Sequence, residues 1–221
     1  MNNAYGCADV KPDNMMIGIG EPAVLNDYER HATERPQHHK QLEDRIIYGS
    51  IGFSSPKPGG FGGFRLCDFG EARIGIQHTG LIQPGGLRAP EVVLDLPWSF
   101  PVDIWQVGCI IWDLFYNEHP SKNDKPNETY RPEHMAQMMA LLGPPTTDFL
   151  QRSEAYKQYW DEDGKWALDV PIPDTSLETR EIRLGENNKR LSLNFFRSML
   201  QWRPEDRKTA KQPLQDPWLN L

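Results

Sequence analysis

The sequence predicts a mainly α fold with a few short strands, on three observations. Residues 103–115 are apolar on nearly all sides of a helix, which is typical of a helix buried in a core. Residues 134–143 repeat apolar side chains at helical spacing and stop at Gly143. The candidate strands, residues 15–20 and 64–67, are short.

The composition is that of a globular intracellular protein. The 221 residues, 38% hydrophobic and 25% charged, suffice for one good-sized domain or two small ones. A net charge of −7 disfavours direct binding to nucleic acid. The three cysteines form no C-x-x-C pair, which favours a reducing compartment, cytoplasmic or nuclear. The most apolar stretch, residues 104–115, is too short to span a bilayer, so no membrane partner is indicated, and the oligomeric state stays open.

The first third of the chain predicts a strand followed by a polar insert. Residues 15–20 form the apolar run of the strand, and residues 21–41 then turn polar. Three histidines are scattered through that polar stretch: His31, His38 and His39. Because no metal-ligand spacing repeats among them, we interpret the stretch as a solvated insert rather than a metal site.

A glycine- and proline-rich segment, residues 54–64, predicts a loop. It does not fit a phosphate-binding G-x-G-x-x-G loop, because Arg65 stands where the last glycine belongs. Residues 64–67 then predict a short strand that ends at Asp68-Phe69-Gly70.

The remaining two thirds predict helices separated by one long acidic loop. Residues 87–94 place Pro90 at the start of a short helix, and Asp103 is positioned to cap the N-terminus of the buried helix. The acidic loop covers residues 160–186, and the last helices cover residues 192–201 and 209–214, the second with a capping-box pattern at Thr209 and Gln212.

Four residue types near the two strands suit phosphoryl transfer. That reaction needs Mg²⁺ on oxygen ligands, a carboxylate that orients the attacking hydroxyl, and a cation near the moving phosphate. Asp9 can be the carboxylate and Lys11 the cation, while Asn14 and Asp68 can ligate the metal. A single D-x-K-x-x-N is more often a surface loop. Here it is followed in order by Asp68-Phe69-Gly70, Ala89-Pro90-Glu91, Asp103-x-Trp105-x-x-Gly108 and Arg207.

That ordered set resembles the C-terminal lobe of the eukaryotic protein kinases. Arg88 before Ala-Pro-Glu, and the long spacing from Asp103 to Arg207, are similar to the branch that holds cyclin-dependent, mitogen-activated and serine/arginine-protein kinases. Within the branch, the chain most resembles fungal relatives of the serine/arginine-protein kinases. The resemblance covers residues 7–219, and the insert, about residues 21–62, has no counterpart that we recognise in the family.

The resemblance implies a role for each matching residue, with ATP and Mg²⁺ as cofactors. Asp9 is the catalytic base and Lys11 contacts the γ-phosphate. Asn14 and Asp68 bind magnesium. Three further residues support the fold, whether or not the protein is active: Glu91 pairs with Arg207, and Asp103 accepts hydrogen bonds from the backbone of the catalytic loop.

Three positions depart from the family pattern. Cys7 replaces the histidine that supports Phe69, and Ala8 replaces the arginine that receives a phosphorylated activation loop. Pro84 stands nearest to the position of a threonine that bonds the catalytic Asp and Lys. Each change weakens the prediction of efficient transfer.

The chain contains no Gly-rich loop or phosphate-binding lysine before Asp9, so the sequence predicts one kinase domain, residues 1–221, without its N-terminal lobe. We expect exposed apolar surface near residues 1–8 and around Phe69, where the absent parts pack. Two functions stay open. One is a serine/threonine kinase acting on a protein substrate rich in Arg and Ser. The other is a catalytically dead binding module that holds a basic partner. Residues 160–186, with eight acids against three bases, are a candidate docking segment for an Arg-rich protein, although such charge runs are more often solvated loops.

Overall fold

The computed structural model of the protein describes residues 5–35, 37–54, 60–117 and 131–220. The chain forms two compact units, the first made of Met1–Pro12 and Asp68–Leu221 and the second of Asp13–Cys67. In chain order the described elements are β1 (Tyr5–Gly6), β2 (Met15–Ile19), α1 (Pro22–Glu34), β3 (His39–Gln41), β4 (Ile46–Tyr48), β5 (Phe61–Leu66), β6 (Arg73–Ile74), α2 (Pro90–Val93), α3 (Pro101–Tyr116), α4 (Arg131–Leu142), α5 (Thr147–Leu150), α6 (Leu177–Arg180) and α7 (Glu186–Arg197).

The first unit is mainly helical and is built around α3, as the sequence predicts. Trp112 is fully buried and packs its ring edge-on against Phe196 of α7 at a centroid distance of 4.9 Å. Gly108 lets the chain that follows α7 approach α3 closely, because a Cβ there would lie 3.0 Å from Leu200 Cδ2. The stripe Ile104, Val107 and Ile111 is half-buried and none of the three is exposed, so the prediction of a core helix is confirmed.

Two predicted helices follow the sequence closely. α2 has Pro90 at its first position, where the missing N–H costs nothing. α4 ends at Leu142, and Gly143 then adopts a left-handed φ of 78°, which is the conformation for which glycine is used after helices.

Three helical predictions were wrong in detail. Asp103 does not cap α3: the helix begins at Pro101 after Phe100, no side chain caps it, and the Asp103 carboxylate is used elsewhere. α7 covers 186–197 rather than 192–201, because its first turn is polar and solvent-facing and so hides the apolar period. Residues 209–214 are not a helix; Pro213 starts a separate 3-10 turn, and the Gln212 side chain accepts from the Thr209 amide in a turn.

The long acidic segment is a loop for most of its length, as predicted. Trp160 and Trp166 form an isolated β-bridge, and their rings meet edge-on at 5.4 Å. Before α7 begins at Glu186, the helical turn in this segment is α6, which has a reciprocal capping box between Ser176 and Thr179.

The second unit contains an antiparallel ribbon, a hairpin and one helix. β2 pairs with β5 with Met15 opposite Leu66, and β3 pairs with β4. The loop predicted for residues 54–64 is wrong from Phe61 onward, where β5 begins; residues 55–59 lie outside the described residues. The glycines are required by close backbone approach, because a Cβ on Gly62 would lie 2.9 Å from the carbonyl carbon and oxygen of Gly18.

The helix α1 inside the insert was not predicted. Pro22 occupies its first turn, Val24 is its buried residue, and one turn later the Tyr28 ring packs 4.8 Å from the Phe53 ring. A helix with a single buried residue has almost no apolar period to detect in the sequence. Within the described part of the chain, no helix combines the length and hydropathy that crossing a bilayer would need.

Candidate active site

The loop that carries Asp9 is fixed to α3 through backbone amides. Cys7 N and Ala8 N each donate to the Asp103 carboxylate, to Oδ2 and Oδ1 respectively, and both distances are 2.8 Å. Ala8 has a left-handed φ of 60°, which turns the chain so that both amides face one carboxylate. Burial raises the pKa of Asp103, and the two amide bonds act against that rise. The predicted role of Asp103 as the anchor of this loop is confirmed.

Asp9 and Lys11 are brought together as the motif predicts. Lys11 Nζ lies 2.8 Å from Asp9 Oδ2, and the two side chains are 30% and 14% exposed. A carboxylate and an ammonium group are therefore presented side by side at a partly open surface. Val10, between them, is buried, and its amide donates to Gln106 Oε1 at 3.1 Å, a contact that the sequence analysis did not anticipate.

Asp68 begins the return of the chain into the first unit. Its φ is 56°, and its Oδ1 accepts from the Gly70 amide at 3.3 Å. Phe69 is 58% exposed, which confirms the expected apolar surface there. The same expectation for residues 1–8 was wrong where it can be judged: Gly6, Cys7 and Ala8 are buried, and residues 1–4 lie outside the described residues.

The Cys7 thiol is buried, which disfavours its reactive thiolate form. Burial raises its pKa, an effect opposed by a backbone hydrogen bond from Asp9, and the carboxylates of Asp103, Asp9 and Asp68 raise it further.

Asn14 lies in the second unit, at the base of the β2–β5 ribbon. It is 5% exposed, and its main-chain carbonyl oxygen accepts from Cys67 N at 2.9 Å and from Cys67 Sγ at 3.2 Å. The Asn14 amide and the Asp68 carboxylate offer hard oxygen atoms, which is the donor chemistry that Mg²⁺ prefers. Among the described residues there is no group of three or more His, Cys, Asp and Glu side chains that could hold a metal by themselves.

The predicted pair of Glu91 and Arg207 is present and buried. Arg207 Nη1 and Nη2 donate to Glu91 Oε1 and Oε2 at 2.7 and 2.6 Å, and the side chains are 0% and 1% exposed. Arg207 also donates to the carbonyl oxygens of Gln201 and Pro101. The pair therefore joins α2 to α3 and to the chain that follows α7.

The segment before α2 is held by side chains that sequence reasoning missed. Gln83 has a left-handed φ of 69° and is buried; its Nε2 donates to Val102 O at 2.9 Å and its Oε1 accepts from Ala89 N at 2.8 Å. Arg88 donates to the carbonyl oxygens of Ile82 and Gln83. In the sequence, Gln83 is only a polar residue beside Pro84. Nothing in that pattern indicates its hydrogen bonds to Val102 and Ala89.

Comparison with known proteins decides the family. A model of the protein kinase domain matches residues 7–219. The chain belongs to the protein kinase domain family. Serine/threonine protein kinases from two strains of Aspergillus fumigatus are 40% identical over 201 residues, covering 90% of this chain and 51% of theirs. The human dual specificity protein kinase CLK4 is 30% identical over 233 residues, covering 100% of this chain and 41% of its own length.

The chain spans about half the length, or less, of the curated relatives it matches. Their names are those of serine/threonine and dual-specificity protein kinases, so the curated relatives that this chain resembles are all protein kinases. Family members transfer phosphate from ATP to proteins with the help of divalent metal ions.

Proposed function

We propose that this chain is the C-terminal lobe of a serine/threonine protein kinase of the serine/arginine type. The proposal rests on the two hydrogen bonds that the Asp103 carboxylate accepts from the amides of Cys7 and Ala8, because these bonds fix the loop that presents Asp9. Phosphoryl transfer depends mostly on positioning and on charge stabilisation, and a rigid loop supplies the first of these.

Each of the four site residues has a role in this proposal. Asp9 accepts a hydrogen bond from the attacking hydroxyl and takes its proton. Lys11, 2.8 Å from Asp9, offsets charge near the γ-phosphate. Asn14 and Asp68 would each offer oxygen atoms to Mg²⁺. ATP, bound with Mg²⁺, supplies the phosphoryl group.

We propose a basic protein substrate rich in Arg and Ser. The support is the acidic segment 160–186, which carries eight acids against three bases. Six of those acids are exposed: Asp161, Glu162, Asp163, Asp169, Asp174 and Glu186. Glu181 is fully buried and accepts from Tyr116 Oη, so it does not contribute to a docking surface.

We further propose that residues 1–221 need an added nucleotide-binding lobe for turnover. The sequence contains no match to G-x-G-x-x-G, and the exposed Phe69 of the first unit offers apolar surface for such a lobe. Without it the phosphates that complete the coordination of Mg²⁺ are not held in place.

The experiment is phosphate transfer from labelled ATP to an Arg-Ser repeat peptide. The chain alone should give no incorporation, and the chain joined to an upstream nucleotide-binding lobe should incorporate label. A peptide with Glu in place of Arg is the substrate control and should be used at least tenfold less well. Equal use of both peptides would contradict the substrate assignment while leaving the kinase assignment in place.

A second candidate function is a binding module for a basic partner. The Lys11 ammonium already occupies a face of the Asp9 carboxylate, and Cys7 replaces the supporting histidine, so a lobe that binds without turnover is consistent with the geometry. Phosphate transfer by the joined chain separates the two functions. A binding module holds an Arg-Ser peptide with salt-sensitive affinity and transfers no phosphate to it, even after a lobe that binds ATP is added. We propose an intracellular location for either function.

A further inference from the structure

We propose that Gln106 is a positioning residue for Asp9, acting through the amide of Val10; this inference rests on the proposed kinase function. Gln106 lies on α3 and is fully buried. Its Oε1 accepts the Val10 amide at 3.1 Å, and Val10 directly follows Asp9 in the chain.

Gln106 completes a set of three backbone anchors that bracket Asp9. Asp103 holds the amides of Cys7 and Ala8 on the N-terminal side, and Gln106 holds the amide of Val10 on the C-terminal side. The two anchoring residues are three apart on one helix and therefore share a face. With both flanks bonded to the same helix, the backbone of Asp9 has little freedom to rotate, and its carboxylate stays beside Lys11.

The side-chain amide of Gln106 is only half satisfied by hydrogen bonds. Its Nε2 is buried and has no hydrogen-bond partner among the described residues. A buried donor without a partner destabilises the folded state, so an apolar side chain of the same length would be favoured if packing were the only requirement. Gln106 offsets this cost with its Oε1, which accepts the hydrogen bond from the Val10 amide.

The first test measures the bond itself in the 221-residue chain, without any activity. In the deuterated, ¹⁵N,¹³C-labelled protein, we expect a through-hydrogen-bond NMR coupling between the Val10 amide nitrogen and the Gln106 side-chain carbonyl carbon. Gln106→Met removes the acceptor at constant length, and the hydrogen-exchange protection of the Val10 amide should fall about tenfold. Gln106→Glu keeps an oxygen at the same place and should retain most of the protection.

The second test measures catalysis in the chain joined to a nucleotide-binding lobe. Gln106→Met should lower kcat about tenfold with little change in the KM for ATP, and Gln106→Glu should restore most of kcat. Gln158→Met is the exchange control, because Gln158 is exposed. Leu193→Ala changes a buried side chain of α7 and is the stability control. It should lower the melting temperature and leave kcat near that of the parent.

The outcomes separate this inference from the proposed function. Absence of the coupling in the wild-type chain, or a Gln106→Met variant with unchanged Val10 exchange or unchanged kcat, overturns the role of Gln106. If Gln106→Met does not fold, the wild-type coupling still decides. If the joined protein transfers no phosphate while the coupling is present, the proposed function fails, and Gln106 remains an anchor of the loop without a catalytic consequence.

Discussion

The buried pair of Glu91 and Arg207 gives the sharpest stability prediction. Glu91→Gln leaves a guanidinium group, 0% exposed, without its counter-charge, although the carbonyl oxygens of Gln201 and Pro101 still accept from it. Breaking a buried pair from one side costs about 3–5 kcal/mol. In a chain of this size about 1 kcal/mol lowers the melting temperature by roughly 2–4 °C, so we expect a drop of about 6–20 °C.

Tryptophan fluorescence is the suitable assay, because all seven tryptophans lie in the first unit, where the pair is. Glu162→Gln removes an exposed carboxylate and should melt with the parent. The double change Glu91→Leu with Arg207→Met removes both charges and should be less destabilising than Glu91→Gln alone. A Glu91→Gln variant that melts within about 1 °C of the parent would refute the reasoning.

Two further predictions concern acid stability and the ribbon. The hydrogen bond from Arg203 lowers the pKa of Asp148 from 3.8 to about 2, so around pH 3 the folded protein binds fewer protons at Asp148 than the unfolded chain does. The stabilising effect of this bond is therefore complete above about pH 4 and is lost as the pH falls toward 2. The melting temperatures of the parent and of Asp148→Asn should therefore converge as the pH is lowered through that range, and a gap that stays constant would contradict the pairing. In the second unit, Gly62→Ala should disrupt the β2–β5 ribbon, and hydrogen exchange should show this as a loss of amide protection in β5. Gly52→Ala is the control, because the space around its Cβ is open and the ribbon should keep its protection. Equal protection in both variants would show that the close backbone approach at Gly62 is unimportant.

The elements that the sequence predicted well are those whose signal lies within the element. The α3 helix is apolar on most sides, and α4 pairs an apolar period with a stop at Gly143, so each can be found from its own residues. The pair of Glu91 and Arg207 was predicted by resemblance to a family, since no periodicity links positions 116 residues apart.

The elements that were missed depend on partners distant in the chain. The strand β5 looks like a loop because its glycines are explained only by the backbone of β2 opposite. Asp103 has the residue type of a helix cap, but its carboxylate is used by the loop at Cys7 and Ala8, 95 or 96 positions away. Gln106 gave no signal in the sequence. A buried glutamine in an apolar run is informative only once the structure shows its Oε1 accepting a hydrogen bond from the Val10 amide.

The most direct test of the central claim is the effect of Asp9→Asn on phosphate transfer. In the chain joined to a nucleotide-binding lobe, transfer to an Arg-Ser peptide should be measurable, and Asp9→Asn should lower kcat by about 10²–10⁴-fold, because the amide cannot take the proton of the attacking hydroxyl. The melting temperature should change little, since Asp9 is partly exposed. Transfer that persists in Asp9→Asn at the parental rate would contradict the account.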